Sequence, residues 1–346
     1  MKRRSPHPLW ELTKTRLREF VREKGFIFWV FLFPLLMAIG LGLAFRSRPP
    51  DLPHIAVVIG GSAAGEEALL QSPRVQAEVV TVEQARRAIV TGRADLLVDL
   101  SQTPPRFEFD PTAERAGRAR LVADDILQRS AGRTDRLQIA ETEITEPGSR
   151  YIDFLLPGLI GLNLMGSSMW GVGYSLVVAR KRRLLRRYAV TPMRRSHFLL
   201  SYFFSRGFFL GLELGLLLAF GALVFGTVVR GSYLGLVVVS VVGAAAFAGI
   251  SLLIGARVDN TETANGWMNF AQLPMWVLSG AFFSYERFPE WLHPAIQALP
   301  LTALVDALRA ISNEGVSLWA CWPQLAVLAT WSVLGFAIAL RTFRWQ

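Results

Sequence analysis

The chain has a single cysteine, Cys321, so it can form no intramolecular disulfide and has no thiol pair for redox chemistry. Histidine is nearly as scarce. His7, His54, His197 and His293 lie outside the interiors of the apolar runs, no two have metal-ligand spacing, and none is placed beside a serine as an intramembrane hydrolase needs. A phosphate loop is also missing. Residues 60–65 (Gly-Gly-Ser-Ala-Ala-Gly) have its glycine spacing, but Glu66 and Glu67 stand where Lys and Ser or Thr are required, and acids there repel phosphate. The segment reads as a strand-to-helix turn. Residues 180–197 lack any acid while holding eight basic residues. There is no internal repeat and no low-complexity segment. These absences leave no catalytic, metal or cofactor-binding residues to assign, and no energy source within the chain.

Apolar residues are abundant. They make up 52% of the 346 residues and are gathered into runs of 18 or more, which mark membrane spans rather than a soluble core. The formal charge of +10 is gathered too. Residues 1–25 hold eight basic and three acidic residues, whereas residues 46–150 hold 14 basic and 16 acidic. Basicity therefore flanks the membrane segments, which suits the bilayer surface and makes nucleic acid a poor partner. The basic N-terminus and following apolar run are expected to be a retained span. The run is long, contains Pro34 and ends at Arg46 and Arg48 rather than at a small-residue cleavage site.

Residues 6–24 read as an amphipathic helix in the cytoplasmic interface, with Trp10, Leu17, Phe20 and Val21 on one side and Lys14, Arg18 and Arg22 on another. The first span is expected at 26–45. Pro34 is tolerable there because a neighbouring helix can satisfy the carbonyl it frees. Strand-like segments at 54–59, 75–80, 95–100 and 106–109 alternate with helix-like segments at 64–71, 82–91 and 112–131. This alternation predicts a small α/β domain over 46–150, on the far side of the membrane from the N-terminus. Further spans are expected at 154–178, 198–229, 234–256, 266–283 and 318–340. A punctuated region at 284–317 precedes the last, where Trp291 and His293 suit an interface. The fold class expected is an α-helical membrane protein of six transmembrane helices, with an extracytoplasmic α/β domain between the first and second. Positive charge at each end puts both termini in the cytoplasm.

The most basic stretch lies between the second and third spans. Arg180, Lys181, Arg182, Arg183, Arg186 and Arg187 are followed by Arg194 and Arg195, and Leu184, Leu185 and Tyr188 fall among them at helical spacing. On charge alone it is a topology anchor or a docking surface for a cytoplasmic partner, the anchor being favoured. Within the spans, Arg206 and Glu213 are seven residues apart and share one helix face. They either line a substrate path or make a helix contact with Arg206 reaching the cytoplasmic surface, the second being favoured. Asp153, Asn163, Asn269 and Gln272 are weaker cases of the same choice. Gly166, Gly171 and Gly173 read as sites of close helix packing.

Three stretches carry a family resemblance. They are residues 153–165 (Asp-Phe-Leu-Leu-Pro-Gly-Leu-Ile-Gly-Leu-Asn-Leu-Met), residues 182–193 (Arg-Arg-Leu-Leu-Arg-Arg-Tyr-Ala-Val-Thr-Pro-Met), and residues 278–294 with 299–309 (Leu-Pro-Leu-Thr-Ala-Leu-Val-Asp-Ala-Leu-Arg). Together they resemble the membrane-spanning subunit of a type-2 ATP-binding-cassette exporter, in the subgroup with a large domain after the first span. Many members carry a Glu and a Gly-Thr in the coupling segment, where this chain has Arg and Leu. The resemblance implies a permease of a bacterial inner membrane, working as a homodimer or heterodimer. Its ATP-Mg would be held by a separate ATPase subunit docked on the N-terminal helix and on Arg182, Arg183, Leu184, Leu185, Arg186, Arg187, Tyr188, Thr191 and Pro192. It also implies an outer gate in the re-entrant region at Phe282, Phe283, Pro289, Trp291 and Pro300, and hydrophobic or amphipathic cargo. A sensor with an extracytoplasmic ligand site is the alternative, and the short cytoplasmic segments leave it little room to signal. A membrane-embedded enzyme lacks a polar catalytic cluster.

Overall fold

The structure, a computed structural model, describes residues 8–45, 52–60, 63–134, 150–181, 195–258 and 260–342. Contacts divide the chain into two units, Met1–Arg46 with Thr145–Gln346, and Ser47–Ile144. The basic stretch 182–194 lies outside the described residues, and with it Arg182, Arg183, Leu184, Leu185, Arg186, Arg187, Tyr188, Thr191 and Pro192.

The first unit begins with α1 (Pro8–Arg22) and α2 (Lys24–Ala44). Helix α1 packs on a later membrane helix through Phe20, whose ring centroid is 5.1 Å from that of Phe209. Trp10 and Val21 are exposed, so the apolar side read from the sequence is divided between a protein contact and an open face. Helix α2 carries a π-helical turn at Phe28–Leu32, just before Pro34. Proline has no N–H to complete an ordinary helical turn, and a widened turn is one way a helix accommodates that.

The second unit is a four-stranded sheet ordered β2-β1-β3-β4. Its elements run β1 (His54–Val58), α3 (Ala63–Gln71), β2 (Gln76–Val79), α4 (Val82–Val90), β3 (Leu96–Asp99), β4 (Arg106–Glu108) and α5 (Glu114–Ser130). Strand β1 pairs in parallel with β2 and β3, and β4 closes the edge antiparallel to β3. Successive strand residues face opposite sides. Ile55, Val57, Leu96 and Val98 pack with Leu69 of α3 and Ala119, Ala123 and Ile126 of α5. Ala56 and Leu97 meet Ala85 of α4 instead. With helices on both faces the central strands are covered on both sides, so β3 reads as a continuous apolar run. Each such side chain contributes about 1.5–3 kcal/mol over leaving it in water. Helix α4 starts at 82 because Thr81 and Gln84 form a reciprocal capping box. Gly60 ends β1 against Ser101, where an added Cβ would lie 2.6 Å from the Ser101 Cβ, which gives that glycine a packing reason. On α5, Asp125 accepts from Arg74 (2.7 Å), Arg129 (3.1 Å) and Arg133, and these guanidinium bonds push its carboxyl down to about 2.

The first unit resumes with α6 (Tyr151–Lys181), α7 (Arg195–Phe225), α8 (Tyr233–Arg257) and α9 (Thr261–Leu278). It ends with α10 (His293–Gln297), α11 (Pro300–Ser312) and α12 (Trp322–Thr342), the last preceded by a 3-10 turn at Leu318–Cys321. Helix α6 is central. Of its apolar window 83% is buried, against 56% for α8 and 17% for the last helix, whose outer faces are open to the membrane. Five helices are long and apolar enough to cross a bilayer: α2, α6, the Phe204–Phe225 part of α7, α8 and Leu318–Thr342. A sixth is reached if Glu290–Gln297 and Pro300–Ser312, bent by 88°, count as one broken span. Helix α9 covers most of the segment expected as the fifth span. With Glu262, Asn265, Asn269 and Gln272 it is too polar to be among the five. Helix α7 stops at Phe225, short of the expected residue 229, because Gly226 takes a positive φ of 62° and turns the chain.

Close packing fixes α8 against the last helix. A Cβ on Gly335 would stand 2.6 Å from the carbonyl carbon of Gly249. Gly173 likewise packs directly on Ser251, but Gly166 and Gly171 have open space where a Cβ would go, contrary to the close packing expected of them. Gly335→Val is therefore expected to destabilise the protein by about 1–3 kcal/mol through overpacking. Gly166→Ala should be neutral or slightly stabilising. Thermal midpoints by fluorescence-detected size exclusion in detergent check both.

Candidate functional site

Prolines inside membrane helices release carbonyls that have no water to turn to, and two asparagines answer two of them. Pro34 frees the Val30 carbonyl four residues earlier, and Asn163 Nδ2 of α6 donates to it at 3.0 Å. Pro157 frees the Asp153 carbonyl, and Asn313 Nδ2 donates to it at 2.8 Å. Asn163 is thus a bond between α6 and α2, whereas Asn269 is exposed on α9 and Gln272 is buried there. No hydrogen bond among the described residues joins these two to the cluster that follows.

That cluster is the pair Arg206–Glu213 on α7. Two turns apart on one face, both side chains turn inward to α6. Arg206 Nη1 donates to Glu213 Oε1 at 2.7 Å and Nη2 to Oε2 at 3.2 Å. Nη2 also donates to Ser167 Oγ at 2.7 Å and Ser168 Oγ at 3.2 Å. The Ser167 hydroxyl lies 2.9 Å from Glu213 Oε2 and 2.6 Å from the Asn163 carbonyl, and its one proton can serve only one of them. Glu213 is 1% exposed and Arg206 13%. Two such charges are costly to bury, and the cost is met only because each stays paired. Arg206 also lines a small cleft, with room for about one water, beside Phe20, Phe26, Phe209, Ser167 and Ser205. Ser167 and Ser168 carry no signal in the sequence, since hydroxyls are ordinary in membrane helices.

A second hub ties the other end of α6 to the re-entrant region. Arg150 grips Asp153 with two bonds of 3.0 Å and donates to the Phe225 carbonyl at 2.7 Å. Arg309 of α11 stacks its guanidinium 3.6 Å from the centroid of the Phe154 ring. It also donates to the Phe154 carbonyl at 3.2 Å and the Gly280 carbonyl at 2.6 Å. Neither Arg309 nor Asn313 was assigned a role from the sequence. The readable signal for Asn313 is Pro157, which announces a carbonyl needing a donor. Of the gate residues, Phe282 offers its carbonyl to Tyr151 Oη at 3.0 Å and Pro300 is buried at the start of α11. Phe283, Pro289 and Trp291 are exposed.

Comparison with known proteins places these features. A model of the family described as "ABC-2 family transporter protein" matches residues 24–341. A similar curated protein is "ABC transporter G family member 20" of Dictyostelium discoideum, 26% identical over 206 residues, covering 58% of this chain and 28% of that protein. The chain therefore spans little more than a quarter of the length of this relative.

Two stability predictions follow from the geometry. Asn163→Ala should cost about 1–3 kcal/mol by stranding the Val30 carbonyl. Adding Pro34→Ala, which restores the missing N–H, should return most of it, and failure of that rescue in thermal unfolding would refute the pairing. Glu213→Leu should cost about 3–5 kcal/mol by leaving Arg206 buried and alone. The double variant Arg206→Met/Glu213→Leu should come back to within about 1 kcal/mol of the native chain. A double variant as unstable as Glu213→Leu alone would show that the two charges are not coupled.

Proposed function

Because the chain belongs to the ABC-2 family of transporter proteins, we propose that it is the permease of an ATP-driven exporter. In this reading a separate ATP-binding-cassette subunit energises it, and it pairs with a second permease, either a copy of itself or a relative. The observation that carries the reading is the family match running from the start of α2 to the end of the last helix, in a multi-pass membrane chain whose one glycine-rich loop has acids where phosphate would sit. The cargo class is hydrophobic or amphipathic molecules. The α/β unit lies outside the cytoplasm and both termini inside, in a bacterial inner membrane.

The route of force starts at α1. Phe20, Phe26 and Phe209 form a three-ring contact with centroid separations of 4.7, 5.1 and 5.5 Å, so α1 is fastened to α7. Helix α7 begins at Arg195, directly after the basic stretch. A partner pressing on α1 and on that stretch therefore pushes one helix from two sides. Arg206 and Glu213 pass the push to α6 through Ser167, since a buried charge network resists being pulled apart. The ATPase must contact the two membrane states differently, or its closure would move nothing. The open face of α9, with Trp267, Phe270, Leu273 and Trp276, suits a second permease. The bent α10–α11 region caps the path outside, steadied by Arg309.

The test is purification from native membranes in mild detergent, with mass spectrometry and an ATPase assay. A stoichiometric ATP-binding subunit is expected, and it should be lost when Arg182, Arg183, Arg186 and Arg187 are changed to Glu. A chain that purifies without any ATPase, or that keeps its ATPase after the reversal, counts against the reading or against the docking surface respectively.

A further inference from the structure

The basic stretch is bounded on one side by two side chains that the family reading leaves unused. At the C-terminal end of α6, Arg180 Nη1 donates to the Gly255 carbonyl at 3.0 Å and the Val258 carbonyl at 3.4 Å. These are carbonyls at the end of α8, left without partners within the helix, where a cation also meets the negative end of the helix dipole. The next residue, Lys181, donates from Nζ to Thr261 Oγ1 at 3.2 Å, on the first residue of α9. Above them the helices cannot slide. Gly173 packs on Ser251, and a Cβ on Gly255 would come within 3.0 Å of the Gly173 carbonyl oxygen. Asn260 caps α9 by accepting from the Glu262 N–H at 3.1 Å, so the start of α9 is held.

We infer that Arg180 is a positioning residue which makes the end of α8 and the start of α9 move as one body with the C-terminal end of α6. The inference rests on the proposed docking of an ATPase on the basic stretch that follows. Its consequence is that a push on residues 182–194 reaches α9 and its open apolar face directly, by a route separate from α1 and α7. The physical basis is that one guanidinium nitrogen donating to two carbonyls, one residue from the loaded segment, transmits displacement only while both bonds hold. Lysine in its place keeps the charge but lacks the planar guanidinium that fixes the direction of the bonds, so it should transmit part of the motion.

Hydrogen exchange by mass spectrometry tests this on the full permease with its ATPase, comparing ADP with ATP plus vanadate. In the native complex the nucleotide should change protection both in the basic stretch and at 261–268. Arg180→Gln should keep the change in the basic stretch and reduce that at 261–268 by about fivefold or more, with Arg180→Lys between the two. An equal change at both places in Arg180→Gln would overturn the inference while leaving the docking intact. No ATPase bound to the native chain would instead remove the docking itself, and the inference with it. A second measurement covers an Arg180→Gln chain that fails to assemble. In a Cys321→Ser background, Lys181→Cys and Thr261→Cys are joined by a short bis-maleimide. If the ends move together, the nucleotide response survives the cross-link. Loss of the response on cross-linking would overturn the inference.

Discussion

In the apolar interior of a helical membrane unit, a backbone carbonyl released by a proline can be satisfied only by another part of the protein. The arrangement around α6 depends on this constraint. Pro34 and Pro157 each create such a carbonyl, and Asn163 and Asn313 each supply the donor from a different helix. The prolines thus act as addresses. Each marks a carbonyl that some neighbouring donor must approach to about 3 Å, and the packing of the helices decides which. Helix α6, carrying one of these prolines and one of the asparagines, is held to α2 near its middle and to the segment after α11 at its N-terminal end.

The buried Arg206–Glu213 pair obeys the same rule with charges in place of carbonyls. Once inside the unit it has to remain paired, so α7 and α6 are coupled through Ser167 and Ser168 in any state in which the pair stays dry. The hydrogen bonds add a directional link between the two helices to their apolar contact. The same logic recurs at the other end with Arg150, Asp153 and Arg309. The long outer faces of α2, α7 and α12 are apolar and open, as membrane-facing surfaces must be. Polar side chains therefore concentrate at the buried contacts between helices.

Much of the architecture was legible in the residues. Alternating strand and helix patterns between 54 and 131 marked the elements of the α/β unit to within a few residues, because both faces of its central strands are covered and the helices are capped locally. The resemblance carried by residues 153–165, 182–193 and 278–309 corresponds to the ABC-2 family match over 24–341. Pro34 announced that a donor was needed. Which helix would provide it was not legible, since Asn163 and Asn269 look equivalent in sequence and only one of them faces inward. Helix α9, which covers most of the fifth expected span, is less apolar than the five helices named above. Helix α9 is apolar on its outer face but carries amides and an acid, and a run of residues does not reveal which side those amides occupy.

What the sequence determined by itself is what depends on local order along the chain. That covers where apolar runs begin and end, where a glycine or proline stops or bends a helix, and where basic residues gather. Only the tertiary structure decided the partnerships: Asn163 with the Val30 carbonyl, Arg206 with both Glu213 and Ser167, Arg309 across the Phe154 ring, and Arg180 at the end of α8. The reason is physical. A span needs only enough consecutive apolar residues, which is a one-dimensional property. A buried hydrogen bond needs a donor and an acceptor from distant segments at one distance and angle, and that depends on how the helices are rotated and packed.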